Sequence, residues 1–205
     1  MSQSPDPARS AVLTIDLQND FLHPEGAYGR AGQRAEAITA LPARIRPVID
    51  ALRKAGGVFI SAQFTLVPGP DDEPLISPHL RALRPFLGKG DFRPGAFGHA
   101  LVDTLAPADY TVEKVAYSAF YQTRLDFILR KLGIDTLIIG GIVTNGGVAS
   151  TLRDAHLRDY HTILLGDGCA AFDTQLHEAT LRSLASLTQI SSCADAAALF
   201  ADKPR

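Results

Sequence analysis

The sequence TLIIGGIVTNGGVASTLRDA, from Thr136 to Ala155, decides the fold of this chain. It opens with a short apolar run, Leu137 to Ile139, which is typical of a strand that is buried on both faces. The glycine pair at 140–141 is expected to end that strand, and apolar residues then recur at helical spacing. Thr144 or Asn145 is the predicted N-cap of the helix. The stretch therefore predicts a strand, a glycine-bearing turn and a helix, and such a turn points backbone N–H groups at whatever lies above the strand.

The alternation of strands and helices continues through the rest of the chain. The other predicted strands are 11–15, 58–62, 110–114, 162–166 and 188–191, and the other predicted helices are 34–55, 98–105, 124–132, 175–187 and 195–200, with a loop at 17–32. Pro42 and Pro47 indicate that the helix at 34–55 is kinked or begins later. This order is typical of a three-layer α/β/α fold with a mainly parallel, six-stranded sheet and helices on both faces. We expect a flexible tail at 1–10 and a single domain at 11–205.

Residues 64–98 form a long excursion that contains six prolines and five glycines. One short helix is expected to open at Ser77–Pro78. Connections of this length are usually functional in compact domains, and the alternative is a surface loop that covers an end of the sheet or contacts another subunit. Four basic residues in it could bind a substrate carboxylate, although such side chains are more often solvated. They are Arg81, Arg84, Lys89 and Arg93.

Composition restricts the classes of function. The chain has 205 residues, a formal net charge of -2, 46% apolar residues and 20% charged residues, which gives no electrostatic case for binding nucleic acid or an anionic membrane. It has no apolar run long enough to span a bilayer. The polar N-terminus lacks a secretory signal, and two cysteines, Cys169 and Cys193, do not make a disulfide framework. We therefore expect a cytoplasmic protein with a small-molecule substrate.

Polar residues at the predicted strand ends are the candidates for a site, since ligands of parallel α/β sheets bind beyond the carboxyl ends of the strands. They are Asp16, Gln63, Lys114, residues 144–147 and Asp167. Asp16 and Lys114 follow apolar strands, and charged side chains are rarely buried without a partner. If both point into one pocket, Lys114 favours the ionised form of Asp16 while burial opposes it. Alternatively, each marks the point where a strand meets solvent.

Three segments resemble the signatures of the isochorismatase-like cysteine hydrolase superfamily. They are IDLQNDF at 15–21, VEKVAYSAF at 112–120 and GIVTNGGVASTLRDA at 141–155, and the resemblance extends from about residue 11 to about residue 172. It implies that Asp16 and Lys114 are catalytic, and that backbone N–H groups of Val143 and Gly147 form an oxyanion hole beside a cis peptide at 142–143. The expected substrate contacts are Gln18, Phe21, Gln63, Tyr117, Thr144 and Asn145.

The resemblance breaks at Gly147, where many members of the superfamily carry the nucleophilic cysteine. Glycine has no side chain and cannot be a covalent nucleophile. A glycine here resembles the isochorismatase branch, in which the Asp protonates a vinyl ether and water adds to the resulting cation. The segment Ser61-Ala62-Gln63 also resembles that branch. In contrast, DLQNDF at 16–21 and the Thr-Asn pair at 144–145 are more similar to the amidases.

Three functions therefore remain open from the sequence. The first is a hydrolase that uses Asp16 as general acid and water as nucleophile, on isochorismate or a related vinyl ether. The second is an amidohydrolase for a ureido, carbamoyl or amide compound, whose cysteine has been replaced by Gly147 naturally or by engineering. The third is a catalytically silent binding or scaffold protein. The resemblance also implies a homodimer or larger homo-oligomer, with the excursion near an interface.

No metal or cofactor is expected. Nicotinamidases of the superfamily bind a metal through an Asp and histidines just after the second strand, but residues 63–66 contain no histidine. His23, His79 and His99 are scattered without the spacing of metal ligands. The sequence also lacks a phosphate-binding loop and a dinucleotide fingerprint.

Overall fold

The computed structural model describes residues 5–201 and contains one six-stranded sheet. The strands are Ser10–Ile15 (β1), Val58–Phe64 (β2), Tyr110–Lys114 (β3), Thr136–Ile142 (β4), His161–Ala170 (β5) and Gln189–Ser191 (β6). Their order across the sheet is β3-β2-β1-β4-β5-β6, and every neighbouring pair is parallel. The predicted parallel α/β sheet is confirmed.

Nine α-helices within residues 5–201 surround the sheet. They are Asn19–Leu22 (α1), Ala27–Arg30 (α2), Glu36–Thr39 (α3), Leu41–Lys54 (α4), Pro78–Leu83 (α5), Leu125–Lys131 (α6), Ala149–His156 (α7), Thr174–Leu184 (α8) and Cys193–Ala201 (α9). The apolar faces of α4 and α9 share one buried cluster with one face of the sheet, and α6 and α7 share another cluster with the opposite face. Neighbouring residues of β1 divide between the two clusters, as alternate side chains of a central strand must: Val12 joins the first and Leu13 the second. The result is the predicted three-layer arrangement.

The glycines at 140–141 do not end β4, contrary to the prediction. The strand continues through them to Ile142, with a register shift against β5 between Ile139 and Gly141. Gly141 has a φ of 121°, and a Cβ atom there would lie 2.2 Å from the carbonyl oxygen of Ile15. The missing side chain thus lets β4 pass close to β1 where the two strands reach the site.

The predicted helix at 34–55 is divided at Ala40 into α3 and α4. Pro42 lies in the first turn of α4, where a missing N–H costs nothing, so the later start that the prolines indicated is confirmed. Pro47 lies inside the helix. The predicted loop at 17–32 contains the one-turn helices α1 and α2.

The predicted helix at 98–105 is wrong. Only the end of this segment bonds to itself, in a turn in which Leu105 N–H donates to Val102 O. Residues 98–102 bond instead to the segment after β1: Asn19 N–H donates to Ala100 O, Asp20 N–H to Gly98 O, and Val102 N–H to Leu17 O. These bonds use the groups that a helix would need. They tie residues 98–102 to the loop that carries α1.

The remaining boundaries differ by a few residues, apart from β5, which runs well beyond the predicted 162–166. At the N-terminus, Pro7–Arg9 form a 3-10 turn and β1 starts at Ser10, so this part of the predicted tail is structured, whereas residues 1–4 lie outside the described range. No helix in residues 5–201 is both long and apolar enough to cross a membrane.

Candidate active site

A pocket with a volume of about 240 Å³ lies beyond the carboxyl ends of the central strands. Asp16, Val143 and Gly147 form part of its wall on the side of the sheet. Five aromatic rings give the pocket a mainly apolar surface: Phe21, Tyr28, Phe64, Tyr117 and Phe172. A few polar groups in an otherwise apolar cavity are typical of a small-molecule site.

Asp16 is the first residue after β1 and has an unusual backbone conformation. Its φ is 59°, in the left-handed region, and its N–H donates to Ala62 O at 2.9 Å. This region is uncommon for residues other than glycine, although Asp tolerates it better than most. A non-glycine residue held there costs about 1–3 kcal/mol, and such residues cluster at functional sites. The turn allows the carboxyl group to line the pocket.

Lys114 pairs with Asp16 inside the protein. Its Nζ donates to Asp16 Oδ2 at 2.8 Å, and the two side chains are 1% and 9% exposed, respectively. Lys114 ends β3 and Asp16 follows β1, so the ammonium group reaches past the end of β2, where it lies 5.5 Å from the centre of the Phe64 ring. Ala116 O accepts a second hydrogen bond from Nζ at 3.1 Å. Asp16 lines the pocket and Lys114 lies behind it, and the burial of the pair rules out the alternative that each merely meets solvent.

Burial raises the pKa of the Asp16 carboxyl, and the positive charge and hydrogen bond of Lys114 and the Phe64 N–H oppose it only in part. Asp16 Oδ1 is buried and accepts no hydrogen bond from any residue in the range 5–201. A buried carboxylate oxygen without a donor favours the protonated form. Asp16 is therefore suited to hold a proton and deliver it into the pocket.

Gly147 lies beside this carboxyl group, on a five-residue π-helical turn, Thr144–Val148, that follows β4. A Cβ atom on Gly147 would lie 3.3 Å from Asp16 Oδ2, 3.0 Å from Ile142 O and 2.9 Å from Ile15 Cγ2. A side chain here would thus project towards Asp16, as a nucleophile beside its base would. The cis peptide implied by the resemblance is present at 142–143. The oxyanion-hole role of Val143 and Gly147 stays a prediction.

The predicted helix N-cap is wrong. Val143 occupies the cap position of the π-helical turn, and no side chain caps it. The Thr144 hydroxyl lies 2.8 Å from His177 Nδ1 instead, and Asn145 points outward as an exposed residue. Neither Thr144 nor Asn145 lines the pocket, in contrast to their predicted role in substrate binding.

Among the other predicted substrate contacts, Phe21 and Tyr117 line the pocket, whereas Gln18 and Gln63 do not. Gln18 is fully buried and its amide group joins two loops: Nε2 donates to Phe64 O at 3.0 Å and to His99 O at 2.9 Å, and Oε1 accepts from Phe64 N–H at 2.8 Å. Gln63 is buried near the end of β2. Gln18 thus supports the pocket wall from behind.

The excursion at 64–98 supplies most of the remaining wall. It contributes Phe64, His79, Leu80, Leu83, Arg84 and Leu87. Of its four basic residues, only Arg84 lines the pocket, while Lys89 and Arg93 lie near Asp72 at 3.9 and 2.8 Å. Sequence reasoning did not find Tyr28 or Phe172, and no local pattern distinguishes either residue. The unusual length of the excursion was the one available signal for this wall.

No thiol takes the place of the missing nucleophile. Cys169 lies within β5 and Cys193 begins α9, and both are buried outside the pocket. Burial raises the pKa of the Cys169 thiol, and it raises the pKa of Cys193 to about 12, with Asp167 contributing in the same direction. Both are inert in ordinary conditions. Within the described residues no group of three or more His, Cys, Asp or Glu side chains is placed to hold a metal ion.

The chain belongs to a known family of hydrolases. Residues 10–196 match the isochorismatase domain, so the chain is a member of the isochorismatase family and a hydrolase. It is 34% identical over 191 residues to the ureidoacrylate amidohydrolase RutB of Methylobacterium radiotolerans, a match that covers 87% of this chain and 74% of that protein.

Solved structures agree with this assignment. A cysteine hydrolase from Pseudomonas syringae pv. phaseolicola is 25% identical with a TM-score of 0.83, and the match covers 98% of both chains. The N-carbamoylsarcosine amidase of Thermoplasma acidophilum is 28% identical with a TM-score of 0.69, over 90% of this chain and 96% of that one.

Proposed function

We propose that this protein hydrolyses a small molecule without a covalent intermediate, with water as the nucleophile and Asp16 as the proton donor. One observation carries the proposal: position 147, whose side chain would project to within reach of Asp16 Oδ2, is a glycine. With no nucleophile beside it, a protonated Asp16 retains only the chemistry of a general acid and base.

A vinyl ether fits this chemistry directly. Asp16 gives its proton to the terminal carbon of the C=C bond, and the adjacent carbon becomes an oxocarbenium ion. Water adds to that carbon and returns one proton to the Asp16 carboxylate. The hemiacetal then breaks its C–O bond to give a carbonyl compound and an alcohol. The ammonium group of Lys114, bonded to Asp16 Oδ2, stabilises the carboxylate between the two proton transfers.

A C–N bond is the second candidate, because the named relatives include a ureidoacrylate amidohydrolase and an N-carbamoylsarcosine amidase. Here water would attack the carbonyl carbon directly. Asp16 would take a proton from the water and pass it to the leaving nitrogen. The backbone N–H groups of Val143 and Gly147 are the proposed donors to the developing oxyanion.

A substrate panel measured as a function of pH tests the proposal. Isochorismate, ureidoacrylate, N-carbamoylsarcosine and simple amides would each be assayed between pH 5 and 9. For a vinyl ether, kcat/KM should fall as the pH rises through the raised pKa of Asp16, since the acid form is then lost. For a C–N bond, where Asp16 takes a proton from water, kcat/KM should rise through the same pKa. A vinyl-ether rate that rises with pH would contradict the role of Asp16 as the acid. Tight binding without turnover would support a silent binding protein.

Alkylation before the same turnover assay tests whether a cysteine takes part in the reaction. Treatment with iodoacetamide at pH 8 should leave turnover unchanged, because both cysteines are buried and their thiol pKa values are raised. Loss of activity in step with modification of one cysteine would contradict a water mechanism.

We also propose that the protein assembles into a homodimer or a larger homo-oligomer, as its family resemblance implies. Three residues at the pocket support this: Leu83, Tyr117 and Phe172 remain 49%, 58% and 42% exposed. Light scattering at micromolar concentration should give at least twice the mass of the chain, and a monomer would contradict the proposal.

A further inference from the structure

We infer that the substrate carries a carboxylate or a comparable anionic group, and that Arg84 binds it. The inference rests on the proposed function only in placing the reaction at Asp16. It concerns how the substrate is recognised, and it assigns that role to a residue at the end of α5, within the excursion at 64–98.

The guanidinium group of Arg84 is held in a defined position. Its Nε donates to the Tyr28 hydroxyl at 2.9 Å, and its Nη1 donates to Leu83 O at 3.0 Å. Tyr28 is itself fixed, since it is 7% exposed, stacks on Phe172 at 5.7 Å between ring centres and meets the edge of Phe86 at 5.0 Å. A side chain that is oriented before the ligand arrives loses less freedom on binding.

The charge of Arg84 is not neutralised by a protein carboxylate. No acidic side chain in residues 5–201 forms an ion pair with it, whereas Arg30 and Arg93 each have an Asp partner. The acidic residue of the pocket lining, Asp16, is already paired with Lys114. An Arg that lines an apolar cavity without a carboxylate partner offers its fork of N–H donors to a bound anion.

Arg84 and Asp16 line the same small pocket. Its volume is about 240 Å³, and aromatic rings form much of the rest of its wall. The ligand class that fits is a small organic anion with a planar or apolar centre, bound at one end by Arg84 and presented at the other to Asp16.

Equilibrium binding of two probes that this protein cannot hydrolyse tests the inference. Benzoate and acetophenone have nearly the same shape and differ in charge, and their affinities would be measured by calorimetry. We expect the unmodified protein to prefer benzoate. Arg84→Gln should weaken benzoate binding by about tenfold or more, the usual range for a lost charged hydrogen bond. Acetophenone should change by less than about twofold, because it makes no charged contact.

Arg81→Gln is the matched control, since Arg81 lies on the same helix, is exposed and does not line the pocket. It should leave both affinities unchanged. Tyr28→Phe removes the hydroxyl that positions Arg84 and should weaken benzoate alone, whereas Arg84→Lys should recover part of the preference. Circular dichroism would verify that each variant is folded.

Several results would overturn the inference. One is an absence of benzoate binding to the unmodified protein at millimolar concentration. Another is a benzoate affinity that Arg84→Gln leaves unchanged, or that this variant lowers by the same factor as the affinity for acetophenone. A third is an equal drop in benzoate affinity in Arg81→Gln and Arg84→Gln. These results are independent of turnover. A failed substrate panel with the expected benzoate results would reject the proposed function alone, and hydrolysis of a neutral substrate with no benzoate effect would reject this inference alone.

Discussion

Replacement of Lys114 by methionine tests the buried pair on which the site is built. Methionine keeps most of the apolar stem but removes the ammonium group that donates to Asp16 Oδ2 at 2.8 Å and to Ala116 O at 3.1 Å. Breaking a buried ion pair by removing one partner costs about 3–5 kcal/mol. Protonation of Asp16 in the variant sets an independent upper bound on this cost. Holding a carboxyl group neutral in the folded state at pH 7, against an unfolded pKa of about 3.9, costs at most about 4 kcal/mol at about 1.4 kcal/mol per pH unit. We therefore expect Lys114→Met to lose about 3–4 kcal/mol of unfolding free energy at pH 7.

The pH dependence of this loss gives the sharper test. The folded pKa of Asp16 is raised and must rise further without Lys114. A group of this kind contributes stability that is present below its unfolded pKa and lost as the pH rises through its folded pKa. The deficit of the variant should consequently be smaller at pH 5 than at pH 7.

Urea unfolding of both proteins at the two pH values measures this deficit. Lys131→Met, at an exposed residue in the last turn of α6, is the control and should change stability by less than about 1 kcal/mol. A Lys114 variant as stable as the parent at pH 7, or one with the same deficit at both pH values, would refute the argument that Lys114 offsets the cost of burying the Asp16 carboxylate.

Two further predictions concern glycines of the site. In Gly147→Cys the thiol should lie beside Asp16 and Lys114, ionise more easily and react with iodoacetamide faster than Cys169, as followed by mass spectrometry; equal rates would contradict this placement. If the chain descends from amidases, the same variant should gain activity on a small amide, whereas in a vinyl-ether hydrolase the added side chain should reduce turnover. Gly141→Ala should lose more than about 2 kcal/mol of unfolding free energy, because its Cβ would lie 2.2 Å from Ile15 O at a φ of 121°. Gly133→Ala is the control, since Gly133 has a φ of 69° and open space around it. Equal losses in the two variants would contradict the steric argument.

The sequence was sufficient to predict the sheet and to place Asp16 and Lys114 at one edge of it, because both depend on local patterns and one topological rule; whether the two side chains pair was left open by the residues alone. Apolar runs mark the strands, and the carboxyl ends of parallel strands meet at one edge, which brings Asp16 and Lys114 together. Gly147 was recognisable from its flanking motif, and the structure adds the direction in which its missing side chain would point.

Other features depend on contacts between distant segments that no local pattern records. Gly140 and Gly141 have the composition of a strand end, but the close passage of β4 along β1 requires them within the strand. The helix expected at 98–105 is lost because the backbone of residues 98–102 bonds to residues 17–20. The pairing of Arg84 with Tyr28 joins positions 56 residues apart. Pocket residues that come from an irregular excursion are therefore the hardest to predict.

The most direct test of the account is the turnover of Asp16→Asn on the substrate that the panel identifies. The substitution preserves the shape of the side chain and removes its ability to exchange a proton. Asp50→Asn, at an exposed position of α4, controls for the loss of a carboxylate elsewhere. With both variants folded, kcat for Asp16→Asn should fall by about 10²–10⁴-fold, the usual contribution of general acid–base catalysis, and kcat for Asp50→Asn should not change. An Asp16→Asn protein that keeps full activity would contradict the assignment of the site.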